Sequence, residues 1–202
     1  MNQLLIATNN TGKVNEFHEL LKETGIELVM PAAIGLNLEV TEDGQTYAEN
    51  AAKKAAAFAQ ASGLISLADD SGLEVDALDG APGLYSARYA GPGASDADRR
   101  RKLLHELRHI PPPRPARFVC AVAVAQPLPY GRLDVVEFLG EVLGEIALAE
   151  HGENGFGYDP LFYIPDRGAT LAELPDSIKN QISHRARAFQ SALPHLQSIL
   201  AA

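Results

Sequence analysis

The 202-residue sequence predicts an α/β protein, and three observations predict it. Short apolar runs of strand character alternate with segments whose apolar residues recur at helical spacing. Hydrophobic residues make up 46% of the chain and charged residues 21%, enough to fill a sizeable core beneath an ordinary soluble surface. No run of about eighteen apolar residues occurs, so neither a transmembrane helix nor a membrane partner is expected. One domain spanning 1–202, with two lobes, suits this length.

Leu4 to Ala7 is short and wholly apolar, which predicts a buried strand. Polar Thr8 to Lys13 forms a loop. Val14, Phe17, Leu20 and Leu21 then recur at helical spacing, with Gly25 as the expected stop. An Ala-rich helix is predicted from about Tyr47 to Ser62, ended by Gly63. Leu64 to Ala68 reads as a strand that delivers the chain to a turn at Asp69-Asp70-Ser71-Gly72, and Leu73 to Ala77 alternates as another strand. A loop rich in Pro and Gly follows, then a helix from about Asp96 to Arg108. Pro111 to Pro115 is a stiff spacer. Phe118 to Ala125 and Val135 to Leu143 are predicted as long strands of one sheet. Gly152 to Pro160 is a glycine-rich loop, and Thr170 to Leu200 is mainly helical with breaks near Pro175 and Pro194.

The net charge of −9 argues against a nucleic-acid polymer as partner, because a phosphate backbone needs a broad basic face. A small phosphorylated ligand needs only a few placed cations or a metal ion. The single cysteine, Cys120, lies in an apolar run and is expected as a buried thiol. That usage fits a reducing cytoplasm. The start of the chain has no basic segment and no long apolar one, so no signal peptide is expected.

Four segments carry candidate chemistry. Thr8, Asn9, Asn10, Thr11, Gly12 and Lys13 join a strand to a helix, the layout that points backbone N–H groups at a phosphate. This is no Walker A loop, since Ala7 stands at its first glycine position and Val14 follows the lysine. A polar turn with a solvated lysine is the plain alternative.

The second segment is acidic. Glu42-Asp43-Gly44 precedes the Ala-rich helix, Glu49 sits in its first turn, and Asp69-Asp70 ends a strand. Two adjacent acids in a turn crowd like charge unless a cation or a shared proton relieves them. Such oxygens suit Mg²⁺, and one of these acids suits a general base for water. A turn whose Asp caps backbone amides is the alternative.

In Gly155-Phe156-Gly157-Tyr158-Asp159-Pro160, aromatics alternate with glycines, so backbone can approach a ligand while a ring offers its face. Stacking on a nucleobase would use this, and Asp159 can accept from a ring N–H. Packing of both rings on the sheet is the alternative. Lastly, in Lys179-Asn180-Gln181-Ile182-Ser183-His184-Arg185, Ser183 is a candidate cap for a helix whose first turn holds His184 and Arg185. Cations there oppose the helix dipole, which makes sense if an anion or carbonyl oxygen docks on them. A solvated basic turn would look the same.

Taken in order, these segments resemble the inosine/xanthosine triphosphate pyrophosphatase family over essentially the whole chain. The blocks are Ala7 to Glu16, Glu42 to Ala55, Ala68 to Leu73, Ala81 to Tyr89, Gly155 to Pro160 and Ser183 to Arg185. The resemblance implies an elongated mixed sheet flanked by helices, two lobes with a nucleotide cleft between them, and a homodimer. The implied reaction is hydrolysis of a nucleoside triphosphate to the monophosphate plus pyrophosphate, with Mg²⁺ required. Thr8 to Lys13 would hold phosphates, helped by Lys54 and Ser71. Glu42 and Asp70 would bind the metal, and Asp70 would also be the base. Phe156 would stack on the purine, with Gly157, Tyr158, Asp159, Lys179, His184 and Arg185 completing its pocket. Arg185, a donor only, would meet a 6-keto oxygen and oppose a 6-amino group. No residue can be assigned to excluding a 2-amino group. One departure is Asn9, where many relatives have Gly. Two other functions remain: a pyrophosphatase of other modified nucleotides, and a nucleotide-binding module without turnover. The clustered acids Glu42, Asp69 and Asp70 argue against the second.

Overall fold

The computed structural model describes residues 2–201, so Met1 and Ala202, the ends of the expected 1–202 domain, lie outside it. β1 (Gln3–Ile6) is the first expected strand, with Leu4, Leu5 and Ile6 fully buried. α1 (Thr11–Leu21) follows, capped by Asn10, and ends before Gly25. After β2 (Glu27–Val29), α2 (Tyr47–Ser62) runs from a Thr46 cap to Gly63, whose φ of 72° gives the left-handed stop. α3 (Asp96–Glu106) starts from a reciprocal Ser95–Asp98 capping box. The remaining elements are β3 (Ser66–Val75), β4 (Pro115–Leu128), β5 (Arg132–Ile146), β6 (Phe162–Ile164), β7 (Ala169–Thr170), α4 (Asp176–Ile182) and α5 (His184–Leu200).

The strands form one mixed sheet of order β2-β1-β3-β4-β5-β6-β7. β1 runs parallel to β2, with Leu4 opposite Leu28, and parallel to β3, with Leu5 opposite Ser66. β6 is antiparallel to β5 and to β7. The α/β class and mixed sheet are as expected.

Two local expectations are corrected. The turn expected at Asp69-Asp70-Ser71-Gly72 does not exist, because β3 runs unbroken through it. β3 lies between β1, which pairs with it at Ser66 and Leu67, and β4, and its sheet context overrides the turn preference of Asp, Ser and Gly. The break expected at Pro194 is also absent, since α5 contains that proline. Proline removes one N–H, whereas Phe189, Ala192 and Leu196 are buried on either side of it and hold the helix down.

The chain folds as two compact units. The first comprises the residues up to Asp70, Cys120–Gly140 and those from Arg185 onward; the second comprises Ser71–Val119 and Glu141–His184. β3, β4 and β5 each contribute residues to both. The core of the first unit joins Leu4, Ile6, Phe17, Leu67, Val122, Val124 and Phe189. Phe17 and Phe189 meet edge to face at 6.1 Å, a geometry worth about 1 kcal/mol beyond the area it buries. The core of the second unit gathers Leu73, Leu103, Phe118, Val142, Tyr158, Leu161 and Phe162. Among the described residues no helix is long and apolar enough to cross a membrane.

Candidate active site

In the first unit, strand geometry gives Asp69 and Asp70 different surroundings. Successive side chains of a strand point to opposite faces, so adjacent acids need not crowd each other. Asp69 is fully buried, and its Oδ2 lies 3.0 Å from Lys13 Nζ and 3.0 Å from both Nε and Nη2 of Arg185. Its backbone oxygen accepts from Lys54 Nζ at 2.6 Å. Burial alone would raise its pKa, but Lys13, Arg185 and Lys54 outweigh that and hold the carboxyl well below the usual carboxylate range. Asp69 is therefore a buried anionic anchor for three cations.

Asp70 faces α2 instead. Asn50 Nδ2 donates to Asp70 Oδ2 at 2.9 Å, while Asn50 Oδ1 accepts from Gly44 N–H at 2.8 Å. The Asn50 amide thus ties the Glu42-Asp43-Gly44 loop to β3. Lys54 Nζ, one turn further along α2, reaches Glu42 Oε1 at 2.8 Å. Burial raises the Asp70 pKa, and nearby Glu42 adds to that, against Lys54, the Asn50 hydrogen bond and Lys13, for a net upward shift. A carboxylate poised upward beside ammonium groups suits proton transfer.

The Thr8–Lys13 turn leads into α1. Thr8 Oγ1 accepts from Asn10 N–H at 3.2 Å and Asn10 Oδ1 accepts from Lys13 N–H at 3.1 Å. A helix N-terminus is thereby set beside the Lys13 ammonium. Arg185 is held in place by two buried carboxylates. Each of its guanidinium nitrogens lies against a carboxylate, Nη1 against Glu16 and the other two against Asp69. The cations that opposed the α5 dipole are explained at this residue by buried acids of the same unit.

In the second unit, Phe156 to Asp159 forms a closed loop. Phe156 N–H donates to Asp159 Oδ2 at 2.9 Å and Asp159 N–H donates back to Phe156 O at 3.1 Å. Lys179 Nζ, itself buried, lies 2.7 Å from Asp159 Oδ2 and 5.1 Å from the Phe156 ring centroid. Tyr158 is buried in the core of this unit, and its hydroxyl donates to Ser86 O at 3.0 Å. His184 stacks on Phe118 at 4.6 Å. Gly157 N–H and C=O are taken by Asp96 and Arg100 of α3, each at 2.9 Å. Ser71 continues β3 next to Asp70 and is half-buried.

The sequence model of the Ham1 family matches residues 4–195. The chain belongs to the Ham1 family. A dITP/XTP pyrophosphatase of Desulforamulus reducens is 49% identical over 198 residues, covering 98% of this chain and 96% of that protein. The Ham1 protein structure from Staphylococcus aureus superposes with a TM-score of 0.83 at 41% identity, covering 98% of this chain and 99% of that one. That of a HAM1 protein from Coxiella burnetii gives 0.84 at 39% identity, with 100% and 99% covered. The family resemblance drawn from the motifs and the mixed α/β sheet agree with these matches.

Two residues that the motif blocks contain, but with no role legible from the sequence, support the candidate site. Asn50 is fully engaged between Gly44 and Asp70, yet in an Ala-rich helix an asparagine carries no local signal. Glu16 is buried against Arg185, a partner 169 residues away. The glycine pattern of Gly155 to Gly157 was informative for a steric reason. Gly155 has φ +75°, and a Cβ there would lie 2.1 Å from Asp159 Oδ2 and 2.9 Å from Lys179 Nζ. Gly155→Ala is expected to cost about 2–3 kcal/mol through backbone strain and the displaced ion pair. Thermal melting beside wild type checks this, and an unchanged midpoint would contradict it.

Proposed function

We propose that this chain hydrolyses non-standard purine nucleoside triphosphates, ITP, dITP and XTP, to the monophosphate plus pyrophosphate, keeping them out of DNA and RNA. The observation that carries the proposal is the Asp70 carboxylate, held by Asn50 with Glu42 and Lys54 beside it, in a Ham1 chain whose relatives include a dITP/XTP pyrophosphatase.

No group of three or more His, Cys, Asp or Glu side chains able to hold a metal ion comes together among the described residues. Glu42 and Asp70 are the carboxylates we assign to it, and Glu42 is near enough to raise the Asp70 pKa. Two carboxylates with water and substrate phosphate completing the shell is how Mg²⁺ binds, so the residues fit it. Bound there, Mg²⁺ would neutralise charge on the phosphoryl oxygens.

The protein's own groups account for the rest. Asp70 accepts a proton from the attacking water. The water oxygen bonds to the α-phosphorus, and the bond from that phosphorus to the α–β bridging oxygen breaks, releasing pyrophosphate. Lys13 and Lys54, both oriented by Asp69, meet phosphate charge, and the α1 N-terminus adds its N–H groups. Phe156 offers its face to the purine, oriented by the buried Asp159–Lys179 pair. A cytoplasmic homodimer is part of the proposal. Buried, unbridged Cys120 supports the first term, and exposed Leu139 and Leu143 on alternate outward positions of β5 support the second.

The test is a product assay with inosine triphosphate in Mg²⁺ and after chelation. Inosine monophosphate and pyrophosphate are expected in equal amounts, with turnover lost by at least about 100-fold on chelation and restored by Mg²⁺. Release of the diphosphate with inorganic phosphate would overturn the cleavage site, and full turnover without divalent cation would overturn the metal.

A further inference from the structure

We propose that Asp96 and Arg100 of α3 are positioning residues for the base end of the substrate, acting through the backbone of Gly157. The proposal rests on Phe156 being the ring on which the purine stacks.

Gly157 N–H belongs to the peptide plane shared with Phe156, and Gly157 C=O belongs to the next plane, shared with Tyr158. Asp96 Oδ2 accepts from that N–H at 2.9 Å and Arg100 Nη1 donates to that C=O at 2.9 Å. The two side chains are four residues apart, so they stand one turn apart on one face of α3. One helix therefore fixes two consecutive peptide planes.

Gly157 has no side chain through which packing could share this job. Gly157 has φ +62°, and a Cβ placed on it would meet nothing within 4 Å. With open space on that side, the two hydrogen bonds from α3 restrain these peptide groups alongside the buried Tyr158. Both grips are themselves braced. Asp96 pairs with Arg99, and Arg100 Nε lies 2.9 Å from Glu150 Oε2. Burial acts to raise the Asp96 pKa, but the hydrogen bonds from Arg99 and Gly157 N–H outweigh it, so the acceptor stays ionised. α3 is anchored by fully buried Leu103 and by its capping box.

Phe156 is thus constrained from two sides. Asp159 and Lys179 hold its own N–H and ring, and Asp96 and Arg100 hold the peptide that follows it. A ring already oriented costs less ordering on binding, an effect on affinity rather than on the chemical step.

The experiment is steady-state kinetics with inosine triphosphate on wild type, Arg100→Ala, Arg100→Lys, Asp96→Ala, Asp96→Asn and Phe156→Ala. Inorganic tripolyphosphate, used as competitive inhibitor, reports the phosphate end. Arg100→Ala and Asp96→Ala are each expected to raise KM about tenfold, the scale of one charge-assisted hydrogen bond, with kcat within about twofold. The Ki of tripolyphosphate stays unchanged. Arg100→Lys keeps a donor and Asp96→Asn keeps an acceptor, and each recovers most of the wild-type KM. Asp96→Ala grips the same residue from its other side and decides the matter if Arg100→Ala does not fold. An unchanged KM in both alanine variants, an equal loss of kcat, or an equal rise in the tripolyphosphate Ki would overturn the proposal. Phe156→Ala separates the two layers. Raised KM in Phe156→Ala with wild-type KM in both Arg100→Ala and Asp96→Ala removes the positioning role alone; wild-type KM in Phe156→Ala removes the stacking ring and the positioning role with it.

Discussion

Replacing Asp70 with asparagine is expected to lower kcat for inosine triphosphate by about 10³-fold or more, general-base catalysis alone being worth about 10²–10⁴-fold. The substitution keeps shape and keeps an oxygen that can accept from Asn50 Nδ2, now at 2.9 Å, so the geometry of β3 and α2 should persist. What it removes is the basic oxygen and one negative charge of the Glu42–Asp70 pair. Substrate binding should survive, because Lys13, Lys54 and the Thr8–Lys13 turn are untouched. Single-turnover hydrolysis and equilibrium binding of the nucleotide, measured on the same preparation, check both halves. If Asp70→Asn retained a tenth or more of the wild-type rate, Asp70 would not be the base.

The fold was legible where local signals were strong. The Thr46 cap and Gly63 stop mark both ends of α2, and the apolar run from Leu4 onward marks β1. Reading failed where a long-range pairing outvotes local preference. Asp69-Asp70-Ser71-Gly72 has turn composition, yet it lies mid-strand in β3, an inner strand of the sheet. That error hid what separates the two acids, since only the alternation of a strand gives them different faces. Residue type and motif nominated the candidate site residues, but not their partners. Asn50 and Asp70 meet over 20 residues, and Glu16 and Arg185 over 169, distances that no periodicity spans. Arg185 illustrates the cost. From its neighbours in sequence it reads as a cation awaiting an anion from outside, whereas the fold already supplies Asp69 and Glu16.

Asp69→Asn, one residue away from Asp70, is expected to show the opposite signature, a large loss of stability. The Asp69 carboxylate is buried between the Lys13 ammonium and the Arg185 guanidinium, and Arg185 is itself buried to 2% exposure. Removing one member of such a cluster leaves desolvated cations with less counter-charge, a situation that costs about 3–5 kcal/mol. Arg185 keeps Glu16, which places the expected loss toward about 3 kcal/mol. For a chain of this size that corresponds to a fall of roughly 10 °C in melting temperature. Lys54 is held by the Asp69 backbone oxygen, which the substitution leaves in place, so the α2 side of the site should survive better than the Lys13 side. The paired melting curves make the contrast sharp: Asp70→Asn close to wild type, Asp69→Asn well below it. An Asp69→Asn protein that melts within about 2 °C of wild type, less than 1 kcal/mol at this size, would show that the buried anion is not what holds Lys13 and Arg185 in place.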